Sequence, residues 1–595
     1  MKNYSFEAVD LGSGFLFDKQ ELNRKITINA VYDRFDETGR IGAFRFDYKE
    51  GDAVKPHIFW DSDVAKWIEG AAYIIKKHPT PALEEKVDAL VALIEKNQCA
   101  DGYFNIYHTV VDPAGRWQDR SHHELYCAGH LMEAAIAYAE ATGKVALLRC
   151  MEKYADHIER VFITERSAAF KTPGHEEIEL ALLRMYTHTG KKKYLDMAAH
   201  FLNTRGTANE AQGGIYTQSH LPIREQREAV GHAVRALYLY TAMAELAAKT
   251  DDAVLADTCR ALFEDIVSHK MYVTGGLGST RIGEAFTVPF DLPNDTAYAE
   301  TCAAIAMVFF ANAMQQLDPR AVYADVIERA LYNGILSGLS LDGKAFFYEN
   351  PLEINLLEHI ENERGKRELA ITERVECFRC SCCPPNLNRL LASLGSYIYG
   401  KEGDTLFVHQ FVTSTLRSGD VFLEQITDYP TNGTVKLKAR GVSALAVRIP
   451  SWCEKFDIDK PYRMKNGYAV IEGTEATVTF DLTPTVVYPD PRIIRDSGRV
   501  AVMRGPVVYC AEAIDNERNL HAIVLPKSPT FREEYSEAFG LCTLRTECEY
   551  QLPFEEGTLY SHRAPEVTKT TLTLIPYAAF ANRGESDMTV FLRTK

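Results

Sequence analysis

Glu124-Leu-Tyr-Cys-Ala-Gly-His-Leu-Met-Glu-Ala-Ala-Ile-Ala-Tyr-Ala-Glu-Ala-Thr142 is the clearest structural signal in this chain of 595 residues. Its apolar residues recur at three- and four-residue steps, which predicts an amphipathic helix. A linker with Gly143 separates it from a second segment of the same period, Val145–Phe162. Glycine commonly ends a helix, so the two segments predict a helical hairpin.

The helical period extends in both directions from this hairpin, from Asp63 to about Tyr399. Linkers rich in Gly, Pro, Asp and Asn separate the segments. Roughly a dozen helices, each paired with the next, predict a toroid of hairpins with its mouth built from loops on one side. An open α-solenoid is the alternative, but we find no strict repeat of about 30–45 residues. The further predicted helices are Val64–Lys77, Leu83–Asn97, Glu176–His188, Lys193–Leu202, Glu228–Ala248, Ala253–Ser268, Ala297–Gln316, Ala321–Ser337 and Pro384–Ile398.

The period changes to strict alternation after Gly400, which predicts β-strands. We therefore predict a multidomain α + β protein. Residues 1–403 form the helical domain and include an irregular or strand-like segment up to about residue 60; residues 404–515 form a β-sandwich; residues 516–595 form a further β region, a partial second sandwich. The predicted strands lie at 405–411, 434–439, 444–450, 476–482 and 568–577.

Composition and charge narrow the function classes. The net charge of −16 argues against a nucleic-acid partner, because phosphate contacts need a basic face. No apolar run approaches the ~20 residues that cross a bilayer, and the N-terminus lacks a secretory h-region. The 13 cysteines are irregularly spaced, so we expect free thiols in a reducing cytoplasm. The sequence leaves a homodimer open.

Four of those cysteines fall within the segment Cys377-Phe-Arg-Cys380-Ser-Cys382-Cys383-Pro-Pro-Asn386. Thiolates this close repel one another unless a cation lies among them. Soft thiolate ligands select zinc, copper(I) or iron–sulfur centres. The run therefore predicts a metal site, which is either structural or catalytic.

A second segment, Glu300-Thr-Cys302, opens an apolar helix and could complete this ligand set. One carboxylate and three thiolates make a plausible tetrahedral zinc set. The more ordinary interpretation is that Glu300 is a first-turn acid favoured by the helix dipole. By the same standard, Cys302 alone would be a small buried apolar residue.

Glu284 lies in a glycine-rich loop that begins at Thr274. Glycines suit a tight loop that approaches a ligand closely, and the loop lacks the Gly-Lys-Ser/Thr ending of a phosphate loop. Glu284 is a candidate general acid, although a solvated loop acid is the commoner case.

Three histidines stand at loop-to-helix junctions, at equivalent positions of successive hairpins: His123, His175 and His232. Each alone would be a capping or core residue, but together they predict a polar ring around a substrate. Aromatic residues near Trp60 and Trp67, the loop Asp101-Gly-Tyr-Phe and the segment Phe346-Phe-Tyr348 could add walls.

Taken together and in this order, these segments resemble glycoside hydrolase family 127, the β-L-arabinofuranosidases, from about residue 5 to about residue 515. The resemblance implies an (α/α)6 barrel followed by β-sandwich domains. The segments that carry it are Asp61-Ser-Asp-Val-Ala-Lys-Trp, His123-Glu-Leu-Tyr-Cys-Ala-Gly-His, Pro173-Gly-His-Glu-Glu, Gly231-His-Ala-Val-Arg, Gly283-Glu-Ala-Phe, Glu300-Thr-Cys, Phe347-Tyr-Glu-Asn-Pro, Cys382-Cys-Pro-Pro-Asn and Arg504-Gly-Pro-Val-Val-Tyr.

The same resemblance implies the roles of individual residues. A zinc ion would be held by Glu300, Cys302, Cys382 and Cys383, with Cys382 the nucleophile and Glu284 the general acid/base of a retaining glycosidase. The substrate would be a small oligosaccharide or glycoside that ends in β-L-arabinofuranose. The side chains implied to contact the sugar are His123, His175, His232 and Tyr348.

Other interpretations stay open at this stage. The cysteine run could be a closed four-thiolate structural site of Cys377, Cys380, Cys382 and Cys383. Cys377-x-x-Cys380 could be a redox pair, although the thioredoxin-like βαβ context is absent from the sequence. The protein could also bind carbohydrate without catalysis, or cleave another uncommon plant-cell-wall sugar.

Overall fold

Six helices line the centre of the N-terminal domain, and each contacts the next in a closed ring. They are seen in a computed structural model, which describes residues 1–208, 210, 214–363, 369–517 and 519–595. Each helix buries most of its surface, because neighbours in the ring and an outer layer cover it. The inner helices are Trp60–Lys77, Glu124–Thr142, Ile178–Thr189, Ala233–Thr250, Thr301–Leu317 and Cys383–Ala392.

Six outer helical segments alternate with the inner helices along the chain and pack against them. The result is an (α/α)6 barrel, which confirms the predicted toroid of hairpins. Five of the outer segments are Pro81–Asn97, Ala146–Ile158, Lys192–Thr204, Ala253–His269 and Ala321–Arg329.

The first outer segment corrects the prediction for residues 1 to about 60. It is helical over Phe15–Leu22, makes a wider π-helical turn over Asn23–Thr27, and continues as Ile28–Glu37. Ile28, Val31 and Phe35 are buried at helical spacing. The π turn shifts the phase of the apolar pattern, so a single helical period does not run through the segment. This outer segment contacts the last inner helix and so completes the barrel.

Two six-stranded sheets follow the barrel, and the chain's first residues join both of them. Alternate residues of Thr434–Arg440 are buried, as expected for a strand with one face on a core. Lys2–Asn3 pairs with Tyr399–Glu402, and Val9–Ser13 pairs with Thr413–Ser418. The remaining strands of the two sheets are Thr405–Val408, Ala444–Arg448, Tyr468–Glu472 and Tyr462–Lys465 in the first, and Phe456–Ile458, Glu475–Phe480, Thr434–Arg440 and Val421–Thr427 in the second.

A third sheet of ten strands occupies the C-terminal region, and six of its strands pair in a closed ring. Val507–Glu512 in this ring pairs with Val567–Pro576, so the boundary expected near residue 515 lies inside one sheet. Sequence spacing could not show this, because the paired strands are distant in the chain. The ring contains Arg499–Arg504, Val507–Glu512, Val567–Pro576, Leu541–Gln551, Ile523–Leu525 and Leu592–Thr594, and Thr485–Val487, Arg532–Ser536, Met588–Thr589 and Glu353–Ile354 add to its edges.

The N-terminal ends of the inner helices gather at one end of the barrel. The residues that immediately precede or open these helices contact one another there, including His123, His232, Glu300 and Cys382. Among the described helices, none is both long and apolar enough to cross a membrane.

Candidate active site

Glu300, Cys302, Cys382 and Cys383 bring one potential ligand atom each to within 4.8 Å of one another. The sulfur of Cys302 lies 3.5 Å from that of Cys382 and 3.2 Å from that of Cys383, and the last two are 3.8 Å apart. A carboxylate oxygen of Glu300 lies 3.7 Å from Cys382 Sγ and 3.8 Å from Cys383 Sγ. The four residues predicted as a ligand set are therefore close together in the fold.

The separations in this cluster fit a tetrahedral zinc ion. Zn–S bonds of about 2.3 Å place tetrahedral sulfur ligands about 3.8 Å apart, close to the distances found here. The second carboxylate oxygen of Glu300 is buried and has no hydrogen-bond partner among the described residues. Such an atom is costly unless a cation or donor satisfies it. The donor set, three sulfurs and one oxygen, also suits zinc.

Burial and hydrogen bonding shift the pKa values of these four groups in different directions. Burial raises the pKa values of Glu300, Cys302 and Cys383 well above their usual ranges. Hydrogen bonds from Cys302, Cys380 and Cys383 instead hold the pKa of Cys382 well below that of a free thiol. Cys382 is therefore the sulfur most readily present as a thiolate, and the thiolate is the nucleophilic form of cysteine.

A tight turn and a neighbouring strand-like segment hold Glu300 in place. Ala299 has a φ of +40°, an uncommon conformation for a residue with a side chain. The amide of Asn350 donates to the carbonyl of Ala299 and to Thr301 Oγ1, both at 2.9 Å. The backbone N–H of Thr301 donates to the carbonyl of Tyr348 at 2.9 Å. The predicted segment Phe347-Tyr-Glu-Asn-Pro therefore supports the turn that presents Glu300.

Arg40 anchors the cysteine loop to the first inner helix. Its guanidinium donates to the carbonyl oxygens of Phe378 and Arg379, both at 2.9 Å, and to Asp63 at 3.0 Å. Arg40 and Asp63 are almost fully buried, at 2% and 1% exposure. Paired charges with further hydrogen bonds are tolerated in such a position. Asp63 therefore has a structural role as the partner of Arg40. The sequence had marked its segment, Asp61–Trp67, without giving Asp63 a role.

Glu284 and His232 form a direct pair across the mouth of the cleft, with 2.8 Å between His232 Nε2 and a carboxylate oxygen. His232 Nδ1 accepts the backbone N–H of Val234 at 3.2 Å, so the hydrogen of the neutral ring lies on Nε2. Glu284 has a φ of +51° and a side chain that is 34% exposed, so it projects from its loop toward solvent and cleft. Glu284, His232 and Glu300 also form a second group of converging ligand atoms.

The three predicted histidines lie side by side. The ring centroids of His123 and His175 are 5.8 Å apart, and those of His175 and His232 are 5.7 Å apart. Desolvation lowers the pKa of each, that of His123 to about 3. Neutral imidazoles can both donate to and accept from sugar hydroxyls. The predicted polar ring is therefore present as a continuous row.

Tyr348 lies beside Cys382, with its hydroxyl 3.3 Å from Cys382 Sγ. Its ring meets that of Tyr298 at 6.0 Å and that of Phe378 at 5.6 Å. Tyr298 in turn hydrogen-bonds Glu284. An aromatic chain therefore links the cysteine and the glutamate.

Lys66 is a charged residue near the site to which sequence reasoning gave no role. Its ammonium group is fully buried and donates to the hydroxyl of Tyr126 at 2.6 Å. Burial alone would lower its pKa, but the negative charges of Cys382 and Cys302 raise it above the usual value. The only sequence signal was a lysine at a position where the helical period predicts a buried residue.

Cys377 and Cys380 are not part of the ligand cluster. Cys377 Sγ instead contacts the carbonyl of Phe378 and the hydroxyl of Ser381, both at 3.5 Å. Cys380 hydrogen-bonds Cys382 and so helps to hold the pKa of Cys382 low. The four-thiolate alternative does not fit this arrangement. The loop Asp101-Gly-Tyr-Phe, expected as a wall, packs elsewhere: Tyr103 is buried and donates to Glu124 at 2.5 Å.

Comparison with protein families gives three matches along the chain. Residues 8–396 match the model of a beta-L-arabinofuranosidase GH127 catalytic domain. Residues 405–477 match the GH127 middle domain, and residues 484–593 match the C-terminal domain of the same glycoside hydrolase family.

Individual relatives agree with the family match. The chain is 36% identical over 594 residues to a non-reducing end beta-L-arabinofuranosidase of Bifidobacterium longum subsp. longum, covering 90% of this chain and 89% of that protein. It superposes on a GH127 beta-L-arabinofuranosidase from Geobacillus stearothermophilus T6 with a TM-score of 0.92 and 40% identity, covering 99% of this chain and 100% of the other. A second GH127 beta-arabinofuranosidase gives a TM-score of 0.91 and 34% identity, covering 100% and 98%.

Proposed function

The chain belongs to glycoside hydrolase family 127, and we propose that it is a retaining β-L-arabinofuranosidase with Cys382 as nucleophile and Glu284 as general acid/base. One observation carries the proposal: Glu300 lies in both clusters of converging groups, with the cysteines on one side and Glu284 with His232 on the other. Retaining glycosidases place their two catalytic groups only about 5–5.5 Å apart on opposite sides of the scissile bond. The shared Glu300 places Cys382 and Glu284 at one cleft, as a pair of catalytic groups requires.

We propose that Glu300, Cys302, Cys382 and Cys383 hold a zinc ion, in agreement with the tetrahedral separations and the unpartnered Glu300 oxygen. Zinc bound there would keep its cysteine ligands deprotonated at neutral pH. Lys66 adds a fixed positive charge near the same thiolates. The chain's own residues thus reinforce a thiolate at Cys382.

In the first half-reaction, the sulfur of Cys382 attacks the anomeric carbon of the arabinofuranose. A C–S bond forms while the bond between that carbon and the glycosidic oxygen breaks. The proton on Glu284 passes to the departing oxygen, so that the aglycone leaves as a neutral alcohol. The product is a thioglycoside on Cys382 and an ionised Glu284.

In the second half-reaction, Glu284 accepts a proton from a water molecule whose oxygen attacks the anomeric carbon. The C–S bond breaks, the sulfur returns to a thiolate, and L-arabinofuranose leaves with its anomeric configuration retained. Two inversions at one carbon produce this retention. The acid of the first step is the base of the second, as microscopic reversibility requires.

The histidine row supplies position rather than chemistry. His175 Nδ1 contacts the carbonyl of Glu176 at 3.1 Å and, in the neutral ring, donates to it, which leaves Nε2 as an acceptor. His232 presents Nε2–H toward Glu284. Fixed donors and acceptors hold the sugar so that the anomeric carbon faces the sulfur. Tyr348, next to Cys382 Sγ, borders the same position.

The proposal is tested by hydrolysis of p-nitrophenyl β-L-arabinofuranoside by the purified, reduced protein, with and without a zinc chelator. We expect release of nitrophenol, loss of release after chelation, and recovery with added zinc. Transfer to methanol, followed by NMR, should give the β-methyl glycoside if the configuration is retained. If the protein binds zinc but does not hydrolyse this glycoside, the proposed metal site stands and the proposed substrate is refuted. It would favour another sugar or a non-catalytic carbohydrate-binding role.

A further inference from the structure

Tyr216 is a partly exposed aromatic residue beside the loop that carries Glu284, and the reaction proposed above does not use it. Its ring contacts Gly283, the residue before Glu284, since a Cβ atom on Gly283 would lie 3.3 Å from Tyr216 Cε2. The ring centroid is 5.9 Å from that of His232, whose Nε2 lies 2.8 Å from Glu284. Tyr216 is 46% exposed. An aromatic ring therefore meets solvent next to the proposed acid.

The surrounding chain segments hold this ring in place. The backbone N–H of His232 donates to the carbonyl of Tyr216 at 3.2 Å, and the backbone N–H of Phe286 donates to the carbonyl of Gly231 at 2.9 Å. The guanidinium carbon of Arg235 lies 4.5 Å from the centroid of the Tyr216 ring. Arg235 is buried and pairs with no carboxylate among the described residues, so the electron-rich face of the tyrosine is its compensating contact. The ring is thus supported from one face while nearly half of the residue's surface stays open.

The leaving group has to lie on the side of Glu284. In the proposed mechanism Glu284 protonates the glycosidic oxygen, so the aglycone is bonded to an atom within hydrogen-bond reach of that carboxyl. Cys382 attacks from the opposite face of the anomeric carbon, because each displacement inverts its configuration. Burial raises the pKa of the Tyr216 hydroxyl, Arg235 lowers it, and the charge of Glu284 raises it again, so Tyr216 is within electrostatic reach of the proposed acid. Tyr216 therefore borders the leaving group.

The surface around Tyr216 is mainly apolar. Ile215 beside it is 60% exposed, and Ile282 in the Glu284 loop is 79% exposed. The one cation in that loop, Arg281, is paired with Glu349 at 2.5 Å. One face of a sugar ring carries mostly C–H groups, which pack against an aromatic face while the hydroxyls stay in water. This surface therefore suits an uncharged sugar ring.

Resting on the proposed function, we propose that Tyr216 determines the specificity for the leaving group and that it favours an uncharged sugar ring at that position. The aglycone ring packs on Tyr216 while its glycosidic oxygen meets Glu284. A methyl aglycone has no ring to make this contact, so the enzyme prefers a disaccharide to a methyl glycoside.

Two substrates with alkyl leaving groups test this contact: a β-L-arabinofuranosyl galactose and methyl β-L-arabinofuranoside. We expect the wild-type kcat/KM to be about 10-fold higher for the disaccharide, the order of an aromatic packing contact. In Tyr216→Ala this ratio should fall to near one, whereas Tyr216→Phe should keep it. The matched control, Tyr535→Ala, removes a tyrosine that is 55% exposed in the C-terminal sheet and should also keep the wild-type ratio.

Equal losses on both glycosides in Tyr216→Ala would show that the ring only supports the Glu284 loop, and this would overturn the proposal. A wild-type ratio near one, or an unchanged ratio in Tyr216→Ala, would overturn it as well. Should Tyr216→Ala fail to fold in a thermal melt, Tyr216→Leu keeps apolar bulk against Gly283, removes the ring and should still lower the ratio.

The two proposals fail in different ways. If wild type cleaves neither of these glycosides nor p-nitrophenyl β-L-arabinofuranoside, the proposed function is refuted and the leaving-group contact falls with it. If wild type cleaves all three but the ratio does not depend on the ring of Tyr216, the function stands and only the leaving-group contact is refuted.

Discussion

The Nε2–H of His232 donates to Glu284 across 2.8 Å, while His232 Nδ1 is occupied by the first backbone N–H groups of its own helix. The tautomer is thereby fixed, and one carboxylate oxygen of Glu284 is held as an acceptor. In the proposed mechanism, the other oxygen of Glu284 carries the catalytic proton.

Glu284→Gln should therefore abolish acid catalysis without disturbing the fold. We expect kcat/KM to fall about 10²–10⁴-fold for an alkyl arabinofuranoside, because proton transfer to a poor leaving group is lost. The fall should be much smaller for a dinitrophenyl glycoside, whose leaving group needs no proton. Steady-state kinetics on the two substrates measure this difference, with the exposed outer-helix variant Glu264→Gln as the control. Equal losses on both substrates would contradict the assignment.

Metal content should distinguish the clustered cysteines from their neighbours in sequence. Cys302→Ser removes one of three sulfurs in a buried site, so we expect zinc to fall well below one equivalent and activity to be lost. Cys377→Ser should retain one equivalent, since Cys377 Sγ contacts only Phe378 and Ser381 in the described structure. Elemental analysis of the purified variants measures both. Zinc loss in Cys377→Ser with retention in Cys302→Ser would reverse the ligand assignment.

Asp61 makes the stability of the barrel depend on pH. Its carboxyl is fully buried, one oxygen accepts the N–H of Ile106 at 3.0 Å, and the other has no described partner. Burial raises its pKa to about 7. The folded state therefore keeps a proton that the unfolded chain loses above its ordinary pKa near 4, and stability falls as pH rises from there to about 7.

Asp61→Asn should remove this dependence, because an amide keeps the acceptor for Ile106 and never ionises. Relative to wild type, we expect the stability of the variant to increase by about 2–3 kcal/mol between pH 5 and pH 8, because each unit of pH rise below the folded pKa costs wild type about 1.4 kcal/mol. Thermal melts at the two pH values measure the change. Asp33→Asn, at an exposed position of the outer helix Ile28–Glu37, serves as the control. A gain that does not grow with pH would mean that Asp61 is ionised throughout.

Arg40→Met should loosen the cysteine loop, although Arg40 does not contact the clustered cysteines themselves. It leaves Asp63 buried without its partner and frees the carbonyls of Phe378 and Arg379, so we expect a loss of about 3–5 kcal/mol. Thermal melts and zinc content measure the effect. Adding Asp63→Asn should restore part of the stability but not the loop contacts. An unchanged zinc affinity in both variants would show that the loop holds its shape without Arg40.

The helical period predicted most of the barrel from sequence. The helix Glu124–Thr142 was predicted with the bounds found in the structure, because its ends are marked by His123 and Gly143. The outer segment from Phe15 to Glu37 was missed, since the π turn at Asn23–Thr27 interrupts its period. The closed ring of strands in the C-terminal region was missed for a different reason: pairing between distant strands leaves no local pattern.

The site followed from residue chemistry only in part. The cysteine run alone suggested a metal. Glu300 and Cys302 were recognised as residues that could complete the ligand set, but only the family resemblance chose that interpretation over the ordinary one, since 80 residues separate Cys302 from Cys382. Lys66 and Arg40 were missed as contributors because a buried cation is read from sequence as an ordinary surface charge. Their partners, Tyr126 and Asp63, become visible only once the helices pack.

The outer segment Phe15–Glu37 contacts the last inner helix, Cys383–Ala392. The barrel is therefore closed by the first and the last of its helical segments. During synthesis the first inner helix, Trp60–Lys77, can cover part of that first segment, but the surface that packs on Cys383–Ala392 has no partner until residue 392 has left the ribosome. At about 5–20 residues per second this takes roughly 20–80 s. The strand Val9–Ser13 stays unpaired longer still, since its partner strand ends at Ser418. The nascent chain thus exposes apolar surface in its first helical segment for most of its translation. Such surface is what chaperones of nascent polypeptides bind.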